Sequence, residues 1–127
     1  MTTAVSVFGL GYVGCVSAAC FAREGFRVVG VDVDPGKLAM IRGGKAPIVE
    51  DGIAELVREM VLSGRLSATE DAAAAVQGTD ISLVCVGTPS QPNGRIDLSY
   101  VERVCGEIGR AMRHKSDRHT VLIRSTV

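Results

Sequence analysis

The chain has 127 residues, 46% of them hydrophobic and 4% aromatic with no Trp, and its 14 acidic and 14 basic side chains cancel. That length suits one domain with a core of Val, Leu, Ile and Ala, and zero net charge removes the electrostatic reason to expect nucleic acid or an anionic membrane as partner. No apolar run is long enough to span a bilayer, and the first residues lack the basic and apolar regions of a signal peptide, so a cytoplasmic protein is expected.

An apolar run, Ala4-Val5-Ser6-Val7-Phe8, enters Gly9-Leu10-Gly11-Tyr12-Val13-Gly14, and a second run, Val28-Val29-Gly30-Val31, ends on Asp32. The pattern predicts a strand, a glycine turn, a helix from about Tyr12 to Glu24 stopped by Gly25, and a strand from about Arg27 to Asp32. With Asp32 eighteen positions past Gly14, this is a dinucleotide fingerprint in its required context. Gly9 permits the tight turn, Gly11 lets the backbone approach a pyrophosphate, and Gly14 lets the helix lie close to the sheet. The helix start offers unpaired N–H groups and partial positive charge to phosphates. Asp32 can accept hydrogen bonds from both ribose hydroxyls but would repel a 2′-phosphate, which favours NAD over NADP. A cofactor-free α/β domain is the alternative reading of such a turn.

Further along, a helix from near Pro35 to the Gly43-Gly44 pair is expected, then a loop through Gly52. A helix of about Ile53 to Ser63 carries Ile53, Leu56, Val57, Met60 and Val61 on one face and breaks at Gly64. Leu66-Ser67-Ala68 is a short strand, and Asp71 to Val76 a short Ala-rich helix closed by Gly78. Ile81 to Val86 is nearly all apolar, as a parallel strand covered on both faces should be. It empties into the breaker-rich loop Gly87 to Gly94. Asp97 or Ser99 caps a helix of about Leu98 to Arg113, and Thr120 to Arg124 is the last strand. Alternating strands and helices predict a Rossmann-type, doubly wound, mainly parallel sheet with helices on both faces.

Ligands of such sheets bind beyond the carboxyl ends of the strands. Those exits carry the glycine turn, Asp32, Gly87-Thr88-Pro89 and Ser125-Thr126, with hydroxyls on Thr88 and Thr126. Taken singly, such residues also simply end strands. Lys37 could reach the adenosine ribose or phosphate, or face solvent. Cys15, Cys20, Cys85 and Cys105 lack the spacing of a metal or redox site and read as buried, reduced hydrophobes, with Cys85 on a buried strand. Arg113-His114-Lys115 reads as a solvated helix end.

Phe8 to Gly14, Gly30 to Asp34 with Lys37, Pro47-Ile48-Val49-Glu50, Gly64-Arg65-Leu66-Ser67, Val86-Gly87-Thr88-Pro89 and Arg124-Ser125-Thr126-Val127 together resemble the N-terminal domain of the nucleotide-sugar 6-dehydrogenases. The likeness covers essentially all 127 residues. Cys85 to Ser90 with Asn93-Gly94, and Lys115 to Val127, are more similar to the branch acting on GDP-mannose than to the branch acting on UDP-glucose.

The resemblance implies oxidation of a sugar C6 alcohol to a carboxylate with two NAD⁺, through a thiohemiacetal and a thioester on a cysteine. Beside the fingerprint's own Gly9, Leu10, Gly11 and Gly14, it implies NAD held by the backbone of Tyr12 and Val13, by Asp32 and Lys37 at the adenosine ribose, and by Thr88 and Thr126. Thr126 would also order the hydrolytic water. The implied nucleophilic cysteine, its lysines and the sugar site belong to later parts of the family's sequence, so this chain reads as the NAD-binding portion, inactive alone. The partner is then a nucleotide sugar held by other segments, the intact enzyme being a homo-oligomer. Asp51 stands where the family carries proline. A stand-alone nucleotide-sensing module, or a hydroxy-acid dehydrogenase, shares the opening motif.

Overall fold

The computed structural model describes residues 2–125. Five strands, β1 (Ala4–Phe8), β2 (Arg27–Val31), β3 (Leu66–Thr69), β4 (Ile81–Val84) and β5 (Thr120–Ile123), form one sheet in the order β3-β2-β1-β4-β5. Every neighbouring pair is parallel. The helices are α1 (Tyr12–Arg23), α2 (Pro35–Arg42), α3 (Ile53–Leu62), α4 (Ala72–Gln77) and α5 (Ser99–Met112). The doubly wound parallel architecture read from the alternation of elements is what forms.

Strand periodicity sorts the core into two layers. Val5 and Val7 of β1, Val28 of β2 and Leu83 of β4 join the small residues Ala18, Ala19 and Ala22 of α1 and the apolar faces of α2 and α3. Phe8, Val31 and Val84 turn the other way, toward Val76 of α4 and Val104, Ile108 and Ala111 of α5. β1 is buried along its whole length. In α3 the expected face is observed, with Ile53, Val57 and Met60 buried and Leu56 and Val61 packed beside them.

Three expectations need correction. The fourth strand ends at Val84 rather than Val86. Its partner β1 ends at Phe8, whose carbonyl takes the Cys85 amide at 2.7 Å, and beyond Gly9 no β1 residue remains to pair. Cys85 therefore lies past the strand and is only half-buried. The α5 N-cap position is Leu98, and Asp97 acts one residue earlier, accepting the Ser99 amide at 2.9 Å.

The third correction concerns Lys115, which is half-buried and bonded while Arg113 and His114 are exposed as expected. Its Nζ donates to the carbonyls of Val76, at 2.9 Å, and Thr79, and lies 2.9 Å from His119 Nδ1. Because the ammonium can only donate, His119 accepts at Nδ1, leaving Nε2–H to face Ser82 Oγ at 2.8 Å. Ser82 Oγ meets Ser6 Oγ at 2.7 Å across the β1–β4 pair. Thr79 donates to the Ala75 carbonyl at 2.8 Å, its oxygen 3.1 Å from Ser6. Three buried hydroxyls at the amino end of the sheet are thus satisfied.

Burial, and then the neighbouring Lys115 charge, lower the His119 pKa, against smaller opposing effects of the Thr79 backbone and Asp80. The unfolded chain, with His119 near its ordinary 6.5, binds the proton more readily than the folded one. Stability from this group is therefore full above about pH 6.5 and falls as pH drops below it. Thermal midpoints of wild type and His119→Gln, measured from pH 8 to pH 5, should run parallel above about pH 6.5. Below it the wild type should lose more.

Candidate functional site

The chain runs from β1 outward to β3, then returns to β4 on the other side, so the exits of β1 and β4 diverge and open a crevice. A cleft of about 620 Å³ lies there, within the usual size of a small-molecule site. Its walls include Gly9 to Val13, Asp32, Val33, Lys37, Glu70, Cys85 to Pro89, Tyr100, Arg103, Val104, Glu107, Arg124 and Ser125.

The floor is the β1–α1 turn. Gly9 sits at φ +97°, and a Cβ there would lie 2.9 Å from the Cys85 carbonyl oxygen and the Val86 amide nitrogen. Its own amide donates to the Val31 carbonyl at 2.8 Å. A Cβ on Gly14 would fall 1.6 Å from the Gly9 carbonyl oxygen. Gly14 therefore brings the helix against the turn itself, a closer contact than the expected approach to the sheet. Gly11, the α1 N-cap with ordinary φ, has nothing within 4 Å of a Cβ position. Gly11 lines the cleft, and nothing in the fold itself demands glycine at this position.

No side chain caps α1, and its first helical bond at this end is Cys15 N–H to the Gly11 carbonyl at 2.9 Å. The amides of Tyr12 and Val13 precede that bond and face the cleft's end of the helix without a helical acceptor. Asp32 accepts the Leu10 amide on Oδ2 at 2.8 Å and the Asp34 amide on Oδ1 at 2.9 Å. Asp34 in turn caps α2, accepting from Gly36 and Lys37. An open glycine cradle, uncapped amides and an adjacent acid suit a dinucleotide.

Of the residues expected to hold a cofactor, Gly9, Leu10, Gly11, Tyr12, Val13, Asp32, Lys37 and Thr88 line one cleft. Leu10 contributes least: its amide is taken by Asp32, and its side chain packs over Gly30. Gly14 acts beneath the floor, and Thr126 lies outside the described residues. Ser125, however, is placed: its hydroxyl donates to the Val86 carbonyl at 2.7 Å, fastening the β5 exit to the Thr88 loop. The Tyr12 hydroxyl donates to Glu50 at 2.6 Å, which raises the phenol's pKa and ties loop 43–52 to the cleft mouth.

Burial pushes the Cys15 thiol up to about 11, and burial also raises Cys85 despite the opposing Arg124 charge. Neither is primed as a thiolate nucleophile. Sequence reading missed Glu70 and the α5 wall. Glu70 was recoverable as one more strand exit, and Tyr100, Arg103, Val104 and Glu107 share one helix face at spacings of three and four. Arg103 lies 5.7 Å over the Tyr100 ring and 4.0 Å from Glu107.

Residues 3–127 match the family model for the UDP-glucose/GDP-mannose dehydrogenase family, NAD binding domain. The chain is 50% identical over 123 residues to the GDP-mannose 6-dehydrogenase of Pseudomonas syringae pv. syringae, a match covering 97% of this chain and 28% of that protein. A ternary complex of GDP-mannose dehydrogenase from Pseudomonas aeruginosa aligns with TM-score 0.95 and 54% identity, over 97% of this chain and 28% of that one. A UDP-glucose dehydrogenase from Pyrobaculum islandicum aligns with TM-score 0.95 and 45% identity, over 100% and 29%. The chain spans less than a third of the length of these relatives.

Two alanine substitutions should move stability in opposite directions. Gly14→Ala drives a Cβ into backbone and should cost about 1–3 kcal/mol in denaturant unfolding, as overpacking does. Gly109→Ala, exposed in α5 with nothing within 4 Å, should gain about 0.5–1 kcal/mol from helix propensity.

Proposed function

The chain belongs to the UDP-glucose/GDP-mannose dehydrogenase family through its NAD-binding domain, and from that premise we propose that it holds the NAD of a nucleotide-sugar 6-dehydrogenase. Such an enzyme oxidises the C6 alcohol of the sugar to a carboxylate. GDP-mannose is the proposed sugar nucleotide, a choice supported by 50% and 54% identity to proteins named for that substrate. The 45% identity to a UDP-glucose dehydrogenase supports UDP-glucose as the second reading.

The observation that carries the cofactor role is the convergence of the glycine turn, Asp32 and Thr88 on one cleft. In this reading the amides of Tyr12 and Val13 hold the pyrophosphate, with the partial positive charge of α1 behind them. Asp32 accepts from the adenosine ribose, and Lys37 lies beside it. The hydroxyl of Thr88 orients the remainder, and Thr126 adds a second hydroxyl or orders water. Bound NAD⁺ supplies the hydride acceptor. The proposal covers residues 1–127 as the cofactor half of the reaction and assigns no cysteine among them the nucleophile's part.

Calorimetric titration should give NAD⁺ binding by the wild type. Asp32→Asn should weaken it roughly tenfold or more, the cost of losing charge-assisted bonds. Thermal unfolding of the same samples separates that loss from misfolding. Incubation with NAD⁺ and GDP-mannose should yield no GDP-mannuronate, and turnover by the chain alone would refute the assignment of the nucleophile elsewhere.

A further inference from the structure

Asp32 is not the only acid at the ribose end of the cleft. β2 and β3 run in register from Val28↔Leu66 to Val31↔Thr69, and the Asp32 amide extends the ladder to the Thr69 carbonyl at 3.3 Å. The next residue of β3's path is Glu70, so the two acids leave adjacent strands at the same level, about 4.8 Å apart in backbone. Glu70 lines the same cleft.

The charges there decide what Asp32 can do alone. Both Asp32 oxygens already accept backbone amides, and Lys37 lines the cleft five positions on. Asp34 stands there too, its carboxylate accepting from the Gly36 and Lys37 amides, so Lys37 offsets only one of the two charges of Asp32 and Asp34. Glu70 adds a further negative charge from the neighbouring strand. Among the described residues the Glu70 side chain has no hydrogen bond and no ion pair. Of the cations around it, Arg42 donates to the Ala68 carbonyl of β3 at 3.1 Å, Arg103 lies against Glu107, and Arg124 lies by Cys85 across the sheet.

Resting on the cofactor reading above, we propose that Glu70 is a specificity residue, a further carboxylate that makes the ribose end of the cleft reject a 2′-phosphate. Asp32 supplies acceptors for hydroxyls. Glu70 adds repulsion from the β3 side, beyond what Lys37 offsets. A 2′-phosphate carries close to two negative charges, so it feels Glu70 about twice as strongly as a single charge would.

The test is titration of NAD⁺ and NADP⁺ into wild type, Glu70→Gln and Glu70→Lys. The ratio of the NADP⁺ to the NAD⁺ dissociation constant should shrink roughly threefold to tenfold in Glu70→Gln and further in Glu70→Lys, an effect that weakens with added salt. Glu59→Gln, an exposed acid on α3, makes the same change in net charge and should leave the ratio alone. Glu70 is exposed, so the variants should fold, and thermal unfolding checks that they do. With NAD⁺ bound by all chains, an unchanged ratio in both Glu70 variants, or an equal shift in Glu59→Gln, overturns this inference alone. No NAD⁺ binding by wild type overturns the cofactor reading and this inference with it.

Discussion

The Leu10 amide and the Asp32 carboxylate meet at 2.8 Å, and this bond joins the exit of β1 to the exit of β2. The turn it holds has no room for side chains, because a Cβ on Gly9 would meet the Cys85–Val86 backbone and one on Gly14 the Gly9 carbonyl. With the turn fixed, α1 leaves the sheet at a fixed angle and its uncapped amides face the cleft. The other Asp32 oxygen takes the Asp34 amide, placing Asp34 to cap α2 and so setting where Lys37 stands. One carboxylate thus organises two helix starts. An acid at position 32 answers two backbone amides of the fold apart from the ribose proposed for it, so a fingerprint that looks purely functional is also structural.

Most of the fold was legible because its signals are local. Short apolar runs marked β1 and β2, glycine at helix ends marked the stops of α1 and α3, and the three-four spacing in α3 marked its buried face. The cleft's floor was legible for the same reason, since its turn and its acid come from 24 consecutive residues, Gly9 to Asp32. What stayed hidden depends on pairing between distant segments. The length of β4 is limited by where β1 ends, which no local pattern in Ile81 to Val86 records. Lys115 reads as a solvated cation until the fold brings the Val76 and Thr79 carbonyls and His119 around it. Glu70 looks like one more surface acid until the β2–β3 register sets it beside Asp32.

The two ends of the sheet divide the polar groups between them. At the carboxyl end, amides and charges are left facing a cleft. At the amino end, every buried hydroxyl is answered within the protein: Ser6, Thr79 and Ser82 bond to one another, to backbone and to His119. Unsatisfied groups there would cost stability without serving a ligand. The cleft end can leave amides open because water or a ligand satisfies them.

The serine–histidine–lysine chain at the amino end also governs alignment at the far end of the last strand. β5 is four residues long, lies at the sheet's edge, and keeps Leu122 and Ile123 about half exposed, so apolar packing gives it little to hold on to. A shift of one residue against β4 would exchange its two faces and would carry Ser125 away from the Val86 carbonyl. His119, immediately before β5, is pinned to Ser82 in the middle of β4. That pin works like a zero mark on a ruler: it indexes β5 from its start, so Ser125, about 20 Å further on, arrives opposite the Thr88 loop.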